Sequence, residues 1–342
     1  MKVGFITEAS ESIGYGHLYR CIALAQVFKI NNHPIIFFLE SDDEITLAKE
    51  LIPEATIISR KTLIHSDFIN ENLVEIVIID IYPKTISEYY FTNSITAPFK
   101  VQILDAAFAY AMLEVDCYFK IGFQTYKSKI ETVRSATDNS VYQFNGTDYL
   151  VFREEFKIKK DYKCRVVPEN ILITMGGSDP YFLTETVLEA IALMNTPLNV
   201  KIVIGSGFSS NRKTKLKAIV EKNRHNVTIL HNVKNIAAKM KNSDMAIING
   251  GNTRFELALI GVPFLSLSIN QKQKEISDKV SEYGIGKSLG IYSDLSRKRI
   301  CEEIEEFKND FELRRRMSKL MREKIDNEGS IRIYDIILNQ MK

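Results

Sequence analysis

Two glycines, a histidine and an arginine crowd into one stretch, Gly14-Tyr15-Gly16-His17-Leu18-Tyr19-Arg20. An apolar run over residues 3–6 precedes it, and Cys21-Ile22-Ala23-Leu24-Ala25 follows with apolar residues at helical spacing. That order predicts strand, glycine loop, helix. Glycines let backbone approach a ligand and take positive φ at little steric cost. The free amides of the following helix start favour an anion. A histidine at such a junction stands at the rim of the ligand crevice of an open α/β sheet, where imidazole can take a proton near neutrality. A glycine turn carrying an incidental surface histidine is the plainer alternative. The run G-Y-G-H-L-Y is not the dinucleotide fingerprint G-x-G-x-x-G.

A second constellation is Asn249-Gly250-Gly251-Asn252-Thr253-Arg254-Phe255-Glu256. A strand ending at Asn249, a glycine pair and a helix opening at Asn252 or Thr253 make a cradle for phosphate or diphosphate. Glu256, one turn into that helix, can reach the hydroxyls of a ribose or close a capping box. Gly176-Gly177-Ser178 repeats the arrangement, with Ser178 or Asp179 as cap, and Gly205-Ser206-Gly207 repeats it more weakly or forms only a turn. Asp80 and Asp105 each close an apolar strand run, where a carboxylate either faces the crevice or caps a turn. His33, His65, His225 and His231 are expected in surface or turn roles, since no H-E-x-x-H spacing joins them.

The elements that must position these groups alternate. Strands are expected over 3–6, 34–39, 56–59, 74–80, 100–104 and 117–121, with helices over 17–30, 42–51, 66–71 and 86–90. Val/Ile-rich runs separated by helices indicate a doubly wound parallel sheet. Residues 122–146 read as polar and irregular. A charged stretch at 157–163 marks a linker, after which strand and helix alternate again through a strand at 264–268 and several closing helices. The expected architecture is two Rossmann-like α/β domains facing across a cleft: residues 1–156 carrying the histidine loop, 157–329 carrying the nucleotide-binding loops, and a helix over 330–342 crossing back to the first.

With 45 Lys and Arg against 43 Asp and Glu, the 342-residue chain carries a net charge of +2, which argues against a general nucleic-acid binder. Its four cysteines form no C-x-x-C pair, as expected of a reducing cytoplasm and of a chain with no metal centre. No leader and no membrane-spanning run is expected.

These stretches together resemble the UDP-diacetamido-trideoxy-hexose hydrolases of pseudaminic acid biosynthesis, relatives of the MurG-type glycosyltransferases with the GT-B fold. Gly14 to Arg20 resembles that family's G-x-G-H-x-x-R, and Asp80-Ile81-Tyr82 its D-x-Y. Tyr149 to Phe156 is similar to Y-x-L-L-R-x-x-F, and Gly176-Gly177-Ser178-Asp179-Pro180 to G-G-S-D-P. Gly250 to Glu256 is similar to G-G-S-T-x-W-E, and Asn270-Gln271 to N-Q. The resemblance implies cleavage of the anomeric C–O bond of a UDP-sugar by water, without metal or cofactor; the sequence leaves the oligomeric state open, with a monomer favoured. It implies His17 as base assisted by Tyr82 and Asn270, and Glu256 on the ribose. Gly251, Asn252 and Thr253 would hold the diphosphate, and Glu8, Gly14, Gly16, Arg20, Asp80, Asp105, Gly176, Gly177, Ser178, Gly250 and Gln271 would complete the substrate site. The chain departs from the family where Ile6 and Glu8 replace an Arg and an Asp, where Ala106 follows Asp105, and where Asn252 and Phe255 replace a Ser and a Trp. UDP recognition is thus better kept than sugar recognition, and a glycosyltransferase of polysaccharide or spore-coat assembly is the alternative.

Overall fold

The computed structural model describes residues 1–10, 14–61, 74–81, 92, 95–105, 113–122, 128–134, 140–158, 161–205, 207–231 and 233–342. The helices expected over 66–71 and 86–90 lie outside these residues, as does His65. The chain divides into two compact units, one of residues 1–154 with 327–342 and one of residues 155–326.

The first unit is built on an eight-stranded sheet in the order β3-β2-β1-β4-β5-β6-β8-β7. Its strands are β1 (Lys2–Thr7), β2 (Ile35–Leu39), β3 (Thr56–Ser59), β4 (Val74–Asp80), β5 (Phe99–Asp105), β6 (Cys117–Ile121), β7 (Lys129–Arg134) and β8 (Ser140–Gly146). All pair in parallel except β7, which runs antiparallel to β8. β1 and β4 are buried along almost their whole length, which is why they read as predominantly apolar runs. Helices α1 (Gly16–Ile30) and α2 (Asp42–Leu51) follow β1 and β2. Within the segment expected to be irregular over 122–146, β7 and β8 instead pair as antiparallel strands. β7, Lys-Ile-Glu-Thr-Val-Arg, is a largely exposed edge strand, so it has no apolar run to betray it.

The second unit holds a six-stranded, all-parallel sheet in the order β11-β10-β9-β12-β13-β14. Its elements are β9 (Asn170–Thr174), α3 (Leu183–Ile191), β10 (Asn199–Ile204), α4 (Ser210–Glu221), β11 (Asn226–His231), α5 (Ile236–Lys241), β12 (Met245–Asn249), α6 (Thr253–Ile260), β13 (Phe264–Ser268), α7 (Gln271–Glu282), β14 (Lys287–Ile291), α8 (Arg297–Asn309) and α9 (Phe311–Lys324). Strand β14, half-buried and interrupted by Gly290 at positive φ, went unread in the sequence for the same reason as β7. The last helix, α10 (Gly329–Gln340), belongs to the first unit. Its Tyr334 packs edge-on against Phe28 of α1, ring centroids 4.9 Å apart, and lies 3.2 Å from His33 Nε2.

In the interior of each sheet the chain reverses its direction of winding, between β1 and β4 in the first and between β9 and β12 in the second. Loops leaving such neighbouring strands part from one another, and the gap between them is where doubly wound sheets hold ligands. Both sequence constellations fall there.

Candidate active site

In the first unit, β1 ends at Thr7, whose parallel partner is Asp80, the last residue of β4. Between β1 and α1 the chain folds back on itself, with Gly14 at φ +87° donating its N–H to the Ser10 carbonyl at 2.7 Å. Helix α1 then opens at Gly16 with Tyr15 at its N-cap, whose own side chain makes no capping bond. His17 and Arg20, three residues apart, share a helix face and both are buried against Asp80, which is itself wholly inaccessible.

His17 Nδ1 lies 2.7 Å from Asp80 Oδ1, and Arg20 grips the same carboxylate in a two-point fork, Nε to Oδ2 and Nη2 to Oδ1, each 2.7 Å. Burial by itself would raise the Asp80 pKa. The Arg20 guanidinium and the His17 hydrogen bond outweigh it and hold the carboxyl well below the usual carboxylate range. An ionised carboxylate at 2.7 Å requires a proton on Nδ1. The 3.1 Å approach of Arg20 Nη2 to that nitrogen is then a crowded contact between two donors. With Nδ1 committed as donor, Nε2 of a neutral His17 keeps its lone pair. This is the orienting arrangement of a general base: carboxylate, imidazole, and a fixed tautomer. Cys21, packed 3.7 Å from Asp80, has its thiol pushed well up, by burial first and then by the carboxylate, so it serves as packing.

Further residues shape this loop. Ser41 and Glu44 form a capping box on α2, and the buried Glu44 carboxylate also accepts the Ala9 N–H at 2.6 Å, tying the start of the β1 loop to α2. The Ser-x-x-Glu pattern was visible in the sequence, but its second task was not. Ile6, where the resembled family carries a cation, is buried in the apolar core with Ile36, Phe38 and Val77. A guanidinium nonetheless reaches the end of β1: Arg60, just beyond β3, donates to the Thr7 carbonyl at 3.1 Å and pairs with Glu40. No sequence signal marks it. Arg153, from the stretch Tyr149 to Phe156, lies over the Tyr19 ring of α1 at 4.8 Å. Glu8 is buried at the head of the loop. Asp105 closes β5, and Tyr82 lies outside the described residues.

In the second unit, the β9 loop turns through Gly176 at φ +86° and Asp179 at φ +42°. Asp179, not Ser178, caps α3: its carboxylate accepts the Leu183 and Thr184 N–H groups and the Thr184 hydroxyl. Buried Arg212 of α4 braces the same loop through the carbonyls of Ser178 and Asp179, the Asp179 carboxylate at 2.6 Å and Glu185 at 2.7 Å. It is also sandwiched by the Phe182 and Phe208 rings. Gly205 proves to be a packing glycine, since a Cβ there would stand 2.4 Å from the Gly177 carbonyl oxygen. Across the switch point, Gly250 and Gly251 lead into α6, whose N-cap Asn252 is exposed and makes no side-chain cap. Thr253 opens α6, and Glu256 sits half-buried in its first turn. Asn270 caps α7 by accepting the Gln273 N–H at 2.9 Å, and exposed Gln271 reaches Glu275 at 3.2 Å.

The sequence candidates therefore gather in two groups. His17, Arg20 and Asp80 form one hydrogen-bonded cluster with the Gly14–Gly16 loop. Gly176, Gly177, Ser178, Gly250, Gly251, Asn252, Thr253 and Glu256 flank the second switch point. Among the described residues no group of three or more His, Cys, Asp or Glu is arranged to hold a metal ion, and no helix is long and apolar enough to cross a membrane.

Two parallel-sheet Rossmann-like units of this kind are the fold of the GT-B glycosyltransferases. MurG of Acinetobacter baumannii superimposes with a TM-score of 0.67 at 14% identity, over 99% of this chain and all of that one. No family model matches the chain. It is 31% identical over 292 residues to the uncharacterized protein MJ1062 of Methanocaldococcus jannaschii, covering 81% of this chain but only 58% of that one. It is 24% identical over 350 residues to the spore coat polysaccharide biosynthesis protein SpsG of Bacillus subtilis, covering 98% of each.

Proposed function

We propose that the chain is a nucleotide-sugar-dependent glycosyltransferase of surface-polysaccharide assembly. The observation that carries this reading is the His17–Asp80–Arg20 cluster, a base of fixed tautomer at the switch point of one Rossmann-like unit. The glycine loops at the switch point of the other unit complement it, and likeness to the spore coat protein supports the pathway. The second unit would hold the nucleotide diphosphate at the opening of α6, with Glu256 on the ribose. His17 Nε2 would take the proton of an acceptor hydroxyl as its oxygen bonds to the anomeric carbon. The anomeric C–O bond to the diphosphate breaks, and helix-terminal amides take up the charge that develops on the leaving UDP.

A second reading keeps every residue in place and makes water the acceptor. It is favoured by the ordered run of hydrolase-like stretches from Gly14 to Gln271, and would release a free diacetamido-trideoxy-hexose. Product NMR separates the two. Incubation with UDP-sugars, including UDP-diacetamido-trideoxy-hexose, should release UDP only when an acceptor sugar is added. Free reducing sugar formed from water alone would favour hydrolysis. A purified chain that neither turns over nor binds UDP would sink both.

A further inference from the structure

We infer that Asn249 is a positioning residue for the diphosphate, a brace that sets the spacing of the two glycine loops; this rests on the nucleotide-sugar reading above. Asn249 is the last residue of β12, and the β12–β9 pairing ends one step earlier, at Ile248 opposite Thr174. Beyond that pair the loops run on towards α6 and α3. The half-buried Asn249 side chain spans the gap they leave. Its Nδ2 donates to the Met175 carbonyl at 2.9 Å, and its Oδ1 accepts the Gly251 N–H at 3.1 Å. One amide thus adds a rung where backbone pairing stops.

The glycines on both sides fit this amide. A Cβ on Gly176, already at φ +86°, would lie 3.2 Å from Asn249 Nδ2, and one on Gly251 would lie 2.9 Å from Oδ1. The consequence for ligand binding is specific. The Gly251 N–H, a natural phosphate donor by position, is turned inward to Asn249. The N–H groups of Asn252 and Thr253 have no protein partner among the described residues. Asn249 therefore decides which amides of the glycine turn face an anion. Neither Ala nor Asp can replace it. Ala makes neither bond. Asp keeps the acceptor but sets a carboxylate against the Met175 carbonyl and adds negative charge beneath the diphosphate.

The experiment compares wild type, Asn249→Ala and Asn249→Asp for affinity towards UDP and towards uridine by calorimetry, with melting temperature measured in parallel. Loss of two hydrogen bonds' worth of loop definition predicts UDP affinity falling about tenfold or more in Asn249→Ala. Uridine affinity, which draws nothing from the diphosphate amides, should change less than about threefold by the same reasoning. Asn249→Asp should lose more UDP affinity than Asn249→Ala, again with uridine spared. A merely structural role lowers melting temperature and moves both ligands together. That result, or unchanged UDP affinity in both variants, overturns the inference while leaving the nucleotide-sugar reading intact. Failure of the wild-type chain to bind UDP overturns that reading and the inference with it.

Discussion

Asp80→Asn tests the heart of the first-unit site. Asp80 is wholly inaccessible and receives three charge-assisted hydrogen bonds, one from His17 and two from Arg20. Asparagine preserves the shape but offers a single acceptor oxygen, so its amide N–H groups must face either the imidazole N–H or the guanidinium. Arg20, itself buried, then loses the charge of the carboxylate it grips in a two-point fork. Removing one partner of a buried, hydrogen-bonded pair costs about 3–5 kcal/mol. For a cooperative unit of this size that lowers Tm by roughly 6–20 °C. Calorimetry at neutral pH should show the part of the melt that belongs to the first unit moving down while the rest stays. The sign with pH follows from the depressed carboxyl: its stabilisation is complete above the unfolded value of about 3.9 and is lost as pH falls below it. The gap between wild type and Asp80→Asn should therefore narrow as the buffer is made more acidic than about pH 4. The double variant Arg20→Met with Asp80→Leu, which replaces the pair by apolar groups of similar size, should regain most of the stability and none of the activity. A single variant melting within about 2 °C of wild type, or a gap unaffected by acid, would refute a buried ion pair here.

Three further outcomes are expected. His17→Ala should lower turnover by about 10²–10⁴-fold, read as UDP release, while UDP affinity stays within a factor of about two. Glu44→Gln should weaken the anchoring of Ala9 and the capping box together, costing about 1–3 kcal/mol in urea denaturation and lowering activity without touching His17. Gly205→Ala should force the β10 loop off Gly177, costing about 1–3 kcal/mol and weakening UDP binding; wild-type behaviour would mean that the two loops are not in contact.

The fold class was legible because β1, β2, β4, β9, β12 and β13 are buried along most of their length and are dominated by apolar residues, Val, Ile, Leu and Phe foremost. Edge strands β7 and β14 were not, since exposure lets polar residues occupy positions that would otherwise report a strand. Among the histidines, His17 stood out by its glycine setting. His225, placed by its sequence at a helix end, is in fact buried, with Nε2 against the Ile191 carbonyl at 2.8 Å.

What the sequence determined by itself is local: burial periodicity writes the strand–helix alternation, and glycines with capping residues write the strand–helix junctions. What only the tertiary structure decided is who meets whom at those junctions. Asp80 reaches His17 across 63 residues because β4, rather than the next strand in sequence, lies beside β1 on the side of the switch point. Arg212 reaches Asp179 across 33 residues, and Asn249 reaches Met175 across 74, through the corresponding neighbours of β9. Strand order is set by the packing of whole layers. No spacing along the chain encodes it, so the partners that orient a base or brace a loop emerge only when the sheets are assembled.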